Sequence, residues 1–276
     1  MRPCRRTRTR TRKADGGTVG QTITLSALEY DVLWEHLQLG PFPPILEINS
    51  HGATLDERAQ LTANVWESLA ERELGWPNAL DTRLQYRLRL LARPEWELDA
   101  RLQLSATGPR TSALIAANHI TATVAVLDAG RLTLRTVPAD TITQQAVALL
   151  PPHPPGTGNS ITLPADTLDA AAARAGSDPH AFAQALRQKG LGKSEAHKIA
   201  DVAGNVIRFG HFGAARTPRF EKRRRANHIV SVYDTNQARY LFTRKPSSGR
   251  HWVTLVPGTE AAITRQLDEL LGQLRQ

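Results

Sequence analysis

The side chains best suited to chemistry in this chain are nine histidines and a single cysteine, Cys4. His197 and His211 are the most central histidines, but they lie too far apart for a helical metal pair, and neither has a carboxylate or cysteine at ligand spacing. A lone cysteine excludes a disulfide framework or a cysteine metal site within one chain. The sequence also lacks a Gly-rich phosphate loop with lysine, a G-x-S-x-G elbow and an H-E-x-x-H motif. We therefore predict a protein that is not an enzyme, with no catalytic residue, cofactor, metal or small-molecule substrate.

The carboxylates follow a pattern that is typical of a solvated surface. Between Glu95 and Ala106 apolar and polar residues alternate, which predicts a strand with one buried face and one solvent-exposed face in an antiparallel sheet. Glu97 and Asp99 lie on the predicted exposed face. Their neighbour Arg101 lies on the same face, which favours an ordinary solvated sheet surface over an acidic site.

Basic residues are concentrated at the N-terminus. Residues 1–20 hold seven lysines and arginines against Asp15, so only +3 of the formal net charge of +9 belongs to the remaining chain. Because this tail has few apolar residues to offset the entropy of ordering, we expect it to be disordered. A solvated extension is the favoured interpretation, and a nucleic-acid or membrane arm is the alternative. The cluster Lys222–Arg225 is a second basic patch, and with the tail it supports the alternative hypothesis of a nucleic-acid-binding regulator.

Hydropathy indicates a cytoplasmic protein that does not insert into membranes. The sequence has no apolar run near 18 residues, and no hydrophobic region follows the basic start. With 276 residues, the chain is long enough for one large domain or two closely packed ones.

Capping and periodicity signals predict alternating helices and strands. Ser26 with Glu29 and Thr54 with Glu57 each indicate a helix start, and a helix breaker, Gly75, follows the second helix. The predicted strands are Ile23–Leu25, Ile45–Ile48, Glu95–Ala106, Ala113–Ala117, Thr121–Leu127, Arg131–Val137, Ile229–Val232, Arg239–Arg244 and His251–Val256. In the second half we predict helices Pro179–Lys189 and Ser194–Ala203, while the glycine-interrupted segment Asn205–Ala215 gives no clear prediction.

An internal repeat organises these elements. The segment Ala122–Leu150 has the same order of parts as Ile229–Leu271, and a strand in each copy ends in Val-Pro, at Val137-Pro138 and Val256-Pro257. A repeat of this length is too long for a solenoid or propeller unit. We therefore predict two similar halves about a pseudo-twofold axis, with this division of the chain: a disordered basic tail (1–20), an N-terminal half (21–150), a Pro/Gly linker (151–160) and a C-terminal half (161–276).

Short motifs along nearly the whole chain make it similar to one known family. The sequence resembles the EspG family, the ESX (type VII) secretion-associated chaperones of mycobacteria and related actinobacteria. The likeness runs from about Ile23 to Leu271 and rests on the order and coverage of its motifs. These are Thr54–Arg58, Trp66–Leu69, Arg89–Pro94, Glu97–Asp99, Val232–Thr235, Arg239-Tyr240, Thr243-Arg244 and His251–Thr254 with Pro257.

The resemblance implies a mixed α+β fold of two similar halves, with an antiparallel central β-sheet and flanking helical bundles. It also implies a non-enzymatic function in the cytosol. Members of the family bind PE–PPE heterodimers, shield the aggregation-prone tip of the PPE protein and keep this cargo soluble for secretion.

The resemblance also suggests where cargo binds. It points to a loop between early strands, to the central sheet and to the second-half helices. These correspond here to Thr107, Gly108, Pro109 and Arg110; to Phe182, Leu186, Ile199 and Val202; and to His211 and Phe212. The sequence departs from the family pattern in its basic tail, and His211-Phe212-Gly213 stands where a glutamine-centred glycine strand is expected.

Overall fold

A computed structural model describes residues 21–219 and 221–275 of the chain. The predicted basic tail, residues 1–20, lies outside the described residues, and so does the arm hypothesis attached to it.

The first half contains seven strands and four α-helices within its described residues. A 3₁₀ turn, Ala139–Thr141, precedes the last helix. The elements are β1 (Ile23–Ser26), α1 (Ala27–His36), α2 (Leu55–Glu71), β2 (Gly75–Trp76), β3 (Ala79–Leu80), α3 (Thr82–Ala92), β4 (Trp96–Gln103), β5 (Thr111–Ala117), β6 (Thr121–Asp128), β7 (Arg131–Pro138) and α4 (Ile142–Val147).

The second half follows the same general plan. It ends in a 3₁₀ turn, Gln273–Arg275. The elements are β8 (Ile161–Pro164), α5 (Ala165–Ala175), α6 (Pro179–Gln188), α7 (Lys193–Gly204), β9 (Val206–Arg216), β10 (Arg224–Arg225), β11 (Val230–Thr235), β12 (Arg239–Ser247), β13 (Arg250–Pro257) and α8 (Glu260–Gly272).

Local side-chain chemistry starts the helices where the sequence indicates. At α1 the Ser26 hydroxyl accepts from the amide of Glu29, and the Glu29 carboxylate accepts from the amide of Ser26, which completes the predicted capping box. At α2 the Thr54 hydroxyl accepts from the amide of Glu57 at 3.2 Å, while the Glu57 carboxylate accepts from the amide of Ala53. These bonds satisfy amide groups that the first helical turn leaves without partners.

One 11-stranded antiparallel sheet connects the two halves. Its order is β1-β7-β6-β5-β4-β9-β11-β12-β13-β8, with β10 paired to β9 beside this path. Read outward from the β4–β9 pair, the two halves place equivalent strands in the same order. The two Val-Pro dipeptides also pair in the same way: Val137 lies opposite Ala122 on β6, and Val256 lies opposite Leu241 on β12. The antiparallel α+β fold is thus confirmed, and the pseudo-twofold symmetry of the two halves stays a prediction.

Helices cover the two faces of this sheet differently. On one face α4 and α8 bury the central strands in a single core that includes Leu98, Phe212 and Leu267. On the opposite face α1, α2 and α3 pack over the outer strands of the first half, and α5, α6 and α7 pack over the outer strands of the second half. The apolar clusters of these two helical groups contain no residue of β4, β9 or β11 among the described residues. A central strip of the sheet therefore lies open between them.

The segment 151–160 is bonded to the second half at several points. Arg239 donates from its backbone amide to the Pro154 carbonyl and from its guanidinium to the Pro151 carbonyl, and its own carbonyl accepts from Gly156. The same guanidinium makes two hydrogen bonds to Asp234, at 2.7 and 2.9 Å, and both side chains are buried. This buried pair holds the connection against β12.

Two sequence predictions differ from the observed fold, and one segment that gave no clear prediction forms a strand. The segment Asn205–Ala215 forms most of β9, a central strand of the sheet. The predicted strand Ile45–Ile48 has no strand structure and follows two prolines. Its Leu46 is fully buried in the core of the first helical group, and Ile45 and Ile48 pack against that core partly buried. Glu97 and Asp99 are buried rather than solvated.

Candidate functional site

The open central strip of the sheet forms a groove between the two helical groups. We call it the central groove. The lower part of its floor is made by side chains of β4, β9 and β11 that point away from α4 and α8, and all but one of these are partly or largely accessible to solvent. These are Arg101, Gln103, Phe209, His211, Tyr233 and the buried Ser231.

An aromatic row crosses the second-half side of this groove. The ring centroids of Phe209 and His211 are 4.9 Å apart, those of His211 and Tyr233 are 5.8 Å apart, and those of Tyr233 and Phe242 are 6.1 Å apart. All four side chains are half-buried. Such a row presents apolar area with few rotatable bonds, which suits the recognition of an apolar partner surface.

The row leads into an apolar cavity of about 430 Å³ under α5, α6 and α7. We call it the second-half cavity. Tyr233 and Phe242 form its sheet side, and three residues suggested by the family resemblance, Phe182, Ile199 and Val202, form its helix side. The structure therefore brings these three predicted residues together in one concave site.

Two other predicted contact residues lie in the core. Leu186 is fully buried beneath the second helical group, and Phe212 is fully buried on the opposite face of the sheet, toward α4 and α8. Because successive residues of a strand point to opposite faces, Phe212 cannot share the groove with His211. Direct contact of Leu186 or Phe212 with a partner is therefore not supported.

The predicted loop Thr107–Arg110 connects β4 and β5 at the end of the sheet where β9 begins. Thr107, Pro109 and Arg110 are exposed, and Gly108 is half-buried. Gln103 donates to the carbonyl of Gly108, whose amide donates in turn to the Ser105 hydroxyl. The loop is thus held in one shape beside the groove, since Gln103 lies opposite Phe209.

His211 is neutral at physiological pH in this environment. Burial lowers its pKa, and the nearby positive charge of Arg101 lowers it further. Its Nδ1 lies 2.9 Å from the Ser231 hydroxyl, so the ring is oriented within the groove floor. The histidine that replaces the expected glutamine therefore supplies a polar, uncharged surface at this position.

Two ion pairs occupy the upper part of the groove floor. Arg223 makes two hydrogen bonds to Glu97, both 2.9 Å, and Arg225 makes two to Asp99, at 2.6 and 3.0 Å. Gly213 permits the second pair, since a Cβ there would lie 2.2 Å from Arg225 Nη2. Two of the four cations in the predicted basic patch Lys222–Arg225 are thus neutralised by Glu97 and Asp99, the carboxylates that were predicted to be solvated. This removes two of its four cations from phosphate binding and weakens the nucleic-acid hypothesis.

A pairing of a histidine with a carboxylate also occurs at the start of α2. Asp31 accepts from the backbone amide and the ring Nδ1 of His51, at 2.9 and 3.0 Å, and from Arg58 at 2.6 Å. Burial raises the pKa of Asp31, but the hydrogen bonds from Arg58 and His51 outweigh it and lower the pKa overall. The Asp31 carboxylate therefore has its hydrogen-bond partners within the chain and holds the loop before α2 in place. In the part of the chain that the structure describes, no cluster of three or more histidine, cysteine or carboxylate residues could hold a metal ion.

Sequence reasoning missed most of the aromatic row. Phe209 and His211 alternate with a period of two inside the segment that gave no clear prediction, and this alternation is the signal that could have revealed a half-exposed strand. Tyr233 and Phe242 lie at or beside the predicted second-half strands, but their common face depends on strand pairing, which the sequence does not show.

The fold and this site define a mixed α+β protein whose antiparallel sheet carries a concave apolar cavity. The sequence model of the EspG family matches residues 26–269, and the chain therefore belongs to the EspG family. Among solved structures, the fold is similar to that of the type VII secretion system chaperone EspG5 of Mycobacterium tuberculosis, which was determined in complex with the PE25–PPE41 dimer. That match has a TM-score of 0.75 and 14% sequence identity, and it covers 91% of this chain and 96% of EspG5. A comparison with curated protein sequences gives no match.

The described helices are also informative about membranes. None of those in residues 21–219 and 221–275 combines the length and apolar character needed to cross a bilayer.

Proposed function

We propose that this protein is a cytosolic chaperone that binds a PE–PPE heterodimer and keeps it soluble for type VII (ESX) secretion. Membership of the EspG family supports this proposal, as does the likeness of the fold to a chaperone solved with such a dimer. In this proposal the chain shields an apolar tip of the PPE protein and performs no catalysis.

The second-half cavity is the observation that carries the proposal. It is concave and apolar, and its sheet side continues into the aromatic row of the central groove. Burying one large apolar side chain there would contribute about 1.5–3 kcal/mol to binding. An exposed apolar tip on the partner would otherwise promote self-association, because large exposed apolar patches are aggregation sites.

The loop Thr107–Arg110 is proposed as a second contact. It is exposed, and it lies at the sheet end where β9 enters the groove. A partner seated over the aromatic row can therefore reach the loop without a change in the fold.

Co-expression tests the function directly. Each PE–PPE pair encoded in the same genome is produced with this chain, and an affinity tag on this chain is used for purification. At least one pair should co-purify with this chain. When that pair is separated from this chain, its light scattering should rise as the dimer aggregates. Failure of every pair to co-purify would refute the proposed function.

Two cavity variants test the site. Phe182→Glu and Phe242→Glu place a charge in the second-half cavity and should weaken binding about thirtyfold or more, because hot-spot residues contribute roughly 2 kcal/mol each. Trp76→Glu is the matched control, since Trp76 is a 56% exposed aromatic residue in the β2–β3 hairpin, which contributes no residue to the lining of the second-half cavity. Melting temperatures are measured for all three. If the cavity variants melt normally and bind fully, while Arg110→Glu abolishes binding, the loop carries recognition and the cavity assignment is wrong.

A further inference from the structure

We propose that Arg101 is a specificity-determining residue that selects cargo with a carboxylate about 12 Å from the apolar side chain entering the second-half cavity. This inference rests on the proposed function and adds the chemistry that distinguishes one cargo from another.

The other charges of β4 are already satisfied. The carboxylates of Glu97 and Asp99 each accept two hydrogen bonds from an arginine of the β9–β11 connection. Arg101 Nη1 lies 3.9 Å from Asp99 Oδ1, beyond hydrogen-bond distance, and 58% of its side chain is exposed. Its donors therefore remain available to a partner at the centre of the groove.

The surroundings of Arg101 leave this positive charge in place. His211 lies directly opposite it on β9 and is held neutral, since burial and the charge of Arg101 both lower the pKa of that ring. Arg101 also lines an adjoining cavity of about 690 Å³. Among the residues that line this cavity, Glu47 is the one carboxylate, and its side chain is exposed. A partner carboxylate would meet the guanidinium from the open side of the groove.

The spacing follows from the sheet. Arg101 on β4 is paired with His211 on β9, and the ring of His211 contacts that of Tyr233 on β11, which lines the second-half cavity. Two strand spacings and two residues along the strand separate Arg101 from Tyr233, because His211 pairs with Ser231 and Tyr233 pairs with Phe209. The backbone distance is therefore about 12 Å. A cargo surface that fills the second-half cavity and places a carboxylate at this distance contacts both the cavity and Arg101.

The charge distribution of the chain agrees with an acidic partner surface. Residues 161–275 contain 18 lysines and arginines against 10 acidic residues, whereas residues 21–150 contain 10 against 15. The second half therefore carries a net positive charge, and a net positive charge speeds association with an acidic partner. A guanidinium also binds a carboxylate through two parallel hydrogen bonds, and the bond strengthens when the partner covers the groove and excludes water.

Binding measurements with the PE–PPE heterodimer that co-purifies with this chain test the inference. Arg101→Glu should weaken binding at least tenfold, and Arg101→Lys should weaken it severalfold because lysine lacks the bidentate fork. Arg265→Glu is the matched control, because Arg265 is an exposed arginine on α8 at the opposite face of the sheet, and it should bind like the wild type. All variants should keep the wild-type melting temperature, and if the glutamate destabilises the fold, Arg101→Gln replaces it.

Charge reversal on the cargo completes the test. Acidic residues near the PPE tip are changed to arginine one at a time, and one of these changes should restore binding to Arg101→Glu. Wild-type-like binding by a folded Arg101→Glu variant would overturn the inference while leaving the proposed function intact. If no PE–PPE pair binds even the wild-type chain, both the function and the inference fall.

Discussion

The buried pair between Arg239 and Asp234 should be the most costly single ion pair to break. Both side chains are only 3–4% exposed, and the guanidinium also donates to the Pro151 carbonyl. In Arg239→Met the charge of Asp234 stays buried, and Arg208, whose Nε lies 3.2 Å away, is the remaining cation beside it. Breaking a buried pair in this way costs about 3–5 kcal/mol of the free energy of unfolding.

A second arginine of the same strand provides the control. Arg244 on β12 also forms a bidentate pair, with Asp169, but the two side chains are 47% and 53% exposed. Removal of an exposed pair costs less than about 1 kcal/mol. Arg244→Met is therefore matched in residue type, strand and partner type, and differs mainly in burial.

Urea and thermal unfolding at neutral pH measure the difference. We expect Arg239→Met to lower the melting temperature by about 6–20 °C, given roughly 2–4 °C per kcal/mol for a chain of this size. The double variant Arg239→Met with Asp234→Asn should recover part of the loss, because it removes the buried charge. Equal, small losses in Arg239→Met and Arg244→Met would show that burial of the pair does not determine its energy and would refute the reasoning.

Three further predictions concern single side chains. Tyr30→Phe should leave stability unchanged or raise it by up to about 1 kcal/mol in thermal unfolding, because the buried Tyr30 hydroxyl has no hydrogen-bond partner; a larger loss would reveal a hidden partner. Gly213→Ala should cost about 1–3 kcal/mol by displacing Arg225 from Asp99, and unchanged urea unfolding would contradict that contact. The pKa of His228 is lowered from 6.5, mainly by burial and secondly by Lys245, so protonation favours the unfolded chain. The stability contributed by neutral His228 is complete above about pH 6.5 and is lost as the pH falls through the folded-state pKa. His228→Leu should accordingly lose less free energy of unfolding than the wild type between about pH 7.5 and about pH 5.5, and an equal loss would exclude His228 as the cause.

The sequence predicts those parts of the fold that depend on neighbouring residues. The capping box of Ser26 and Glu29 lies within one helical turn, and the antiparallel class follows from short alternating strands such as β4. The resemblance of short motifs indicated the family that the matched residues 26–269 confirm.

The remaining features depend on partners distant in the chain. The alternation of β4 alone predicts that Glu97 is solvated. In the structure Glu97 is bound by Arg223, which lies 126 residues further along the chain. β9 reads as a broken segment because Gly210 and Gly213 make room for Leu102 and Arg225, which approach from other strands. The site shows the same limit, since Phe182 lines the cavity and Leu186, one turn further along the helix, lies in the core.

The β4–β9 pairing at the centre of the sheet has a consequence for biosynthesis. β4 is complete 113 residues before the end of β9 is synthesised, an interval of about 6–23 s at ordinary translation rates. During that time the first half can assemble around β4 with one open edge, and open edges recruit other strands. Glu97 and Asp99 then lack their later arginine partners beside this edge, and charged side chains at an edge discourage pairing between nascent chains. The bidentate pairs of these carboxylates form only after Arg223 and Arg225 have been synthesised. The same two side chains would therefore disfavour edge pairing during synthesis and bind the segment after β9 in the folded protein.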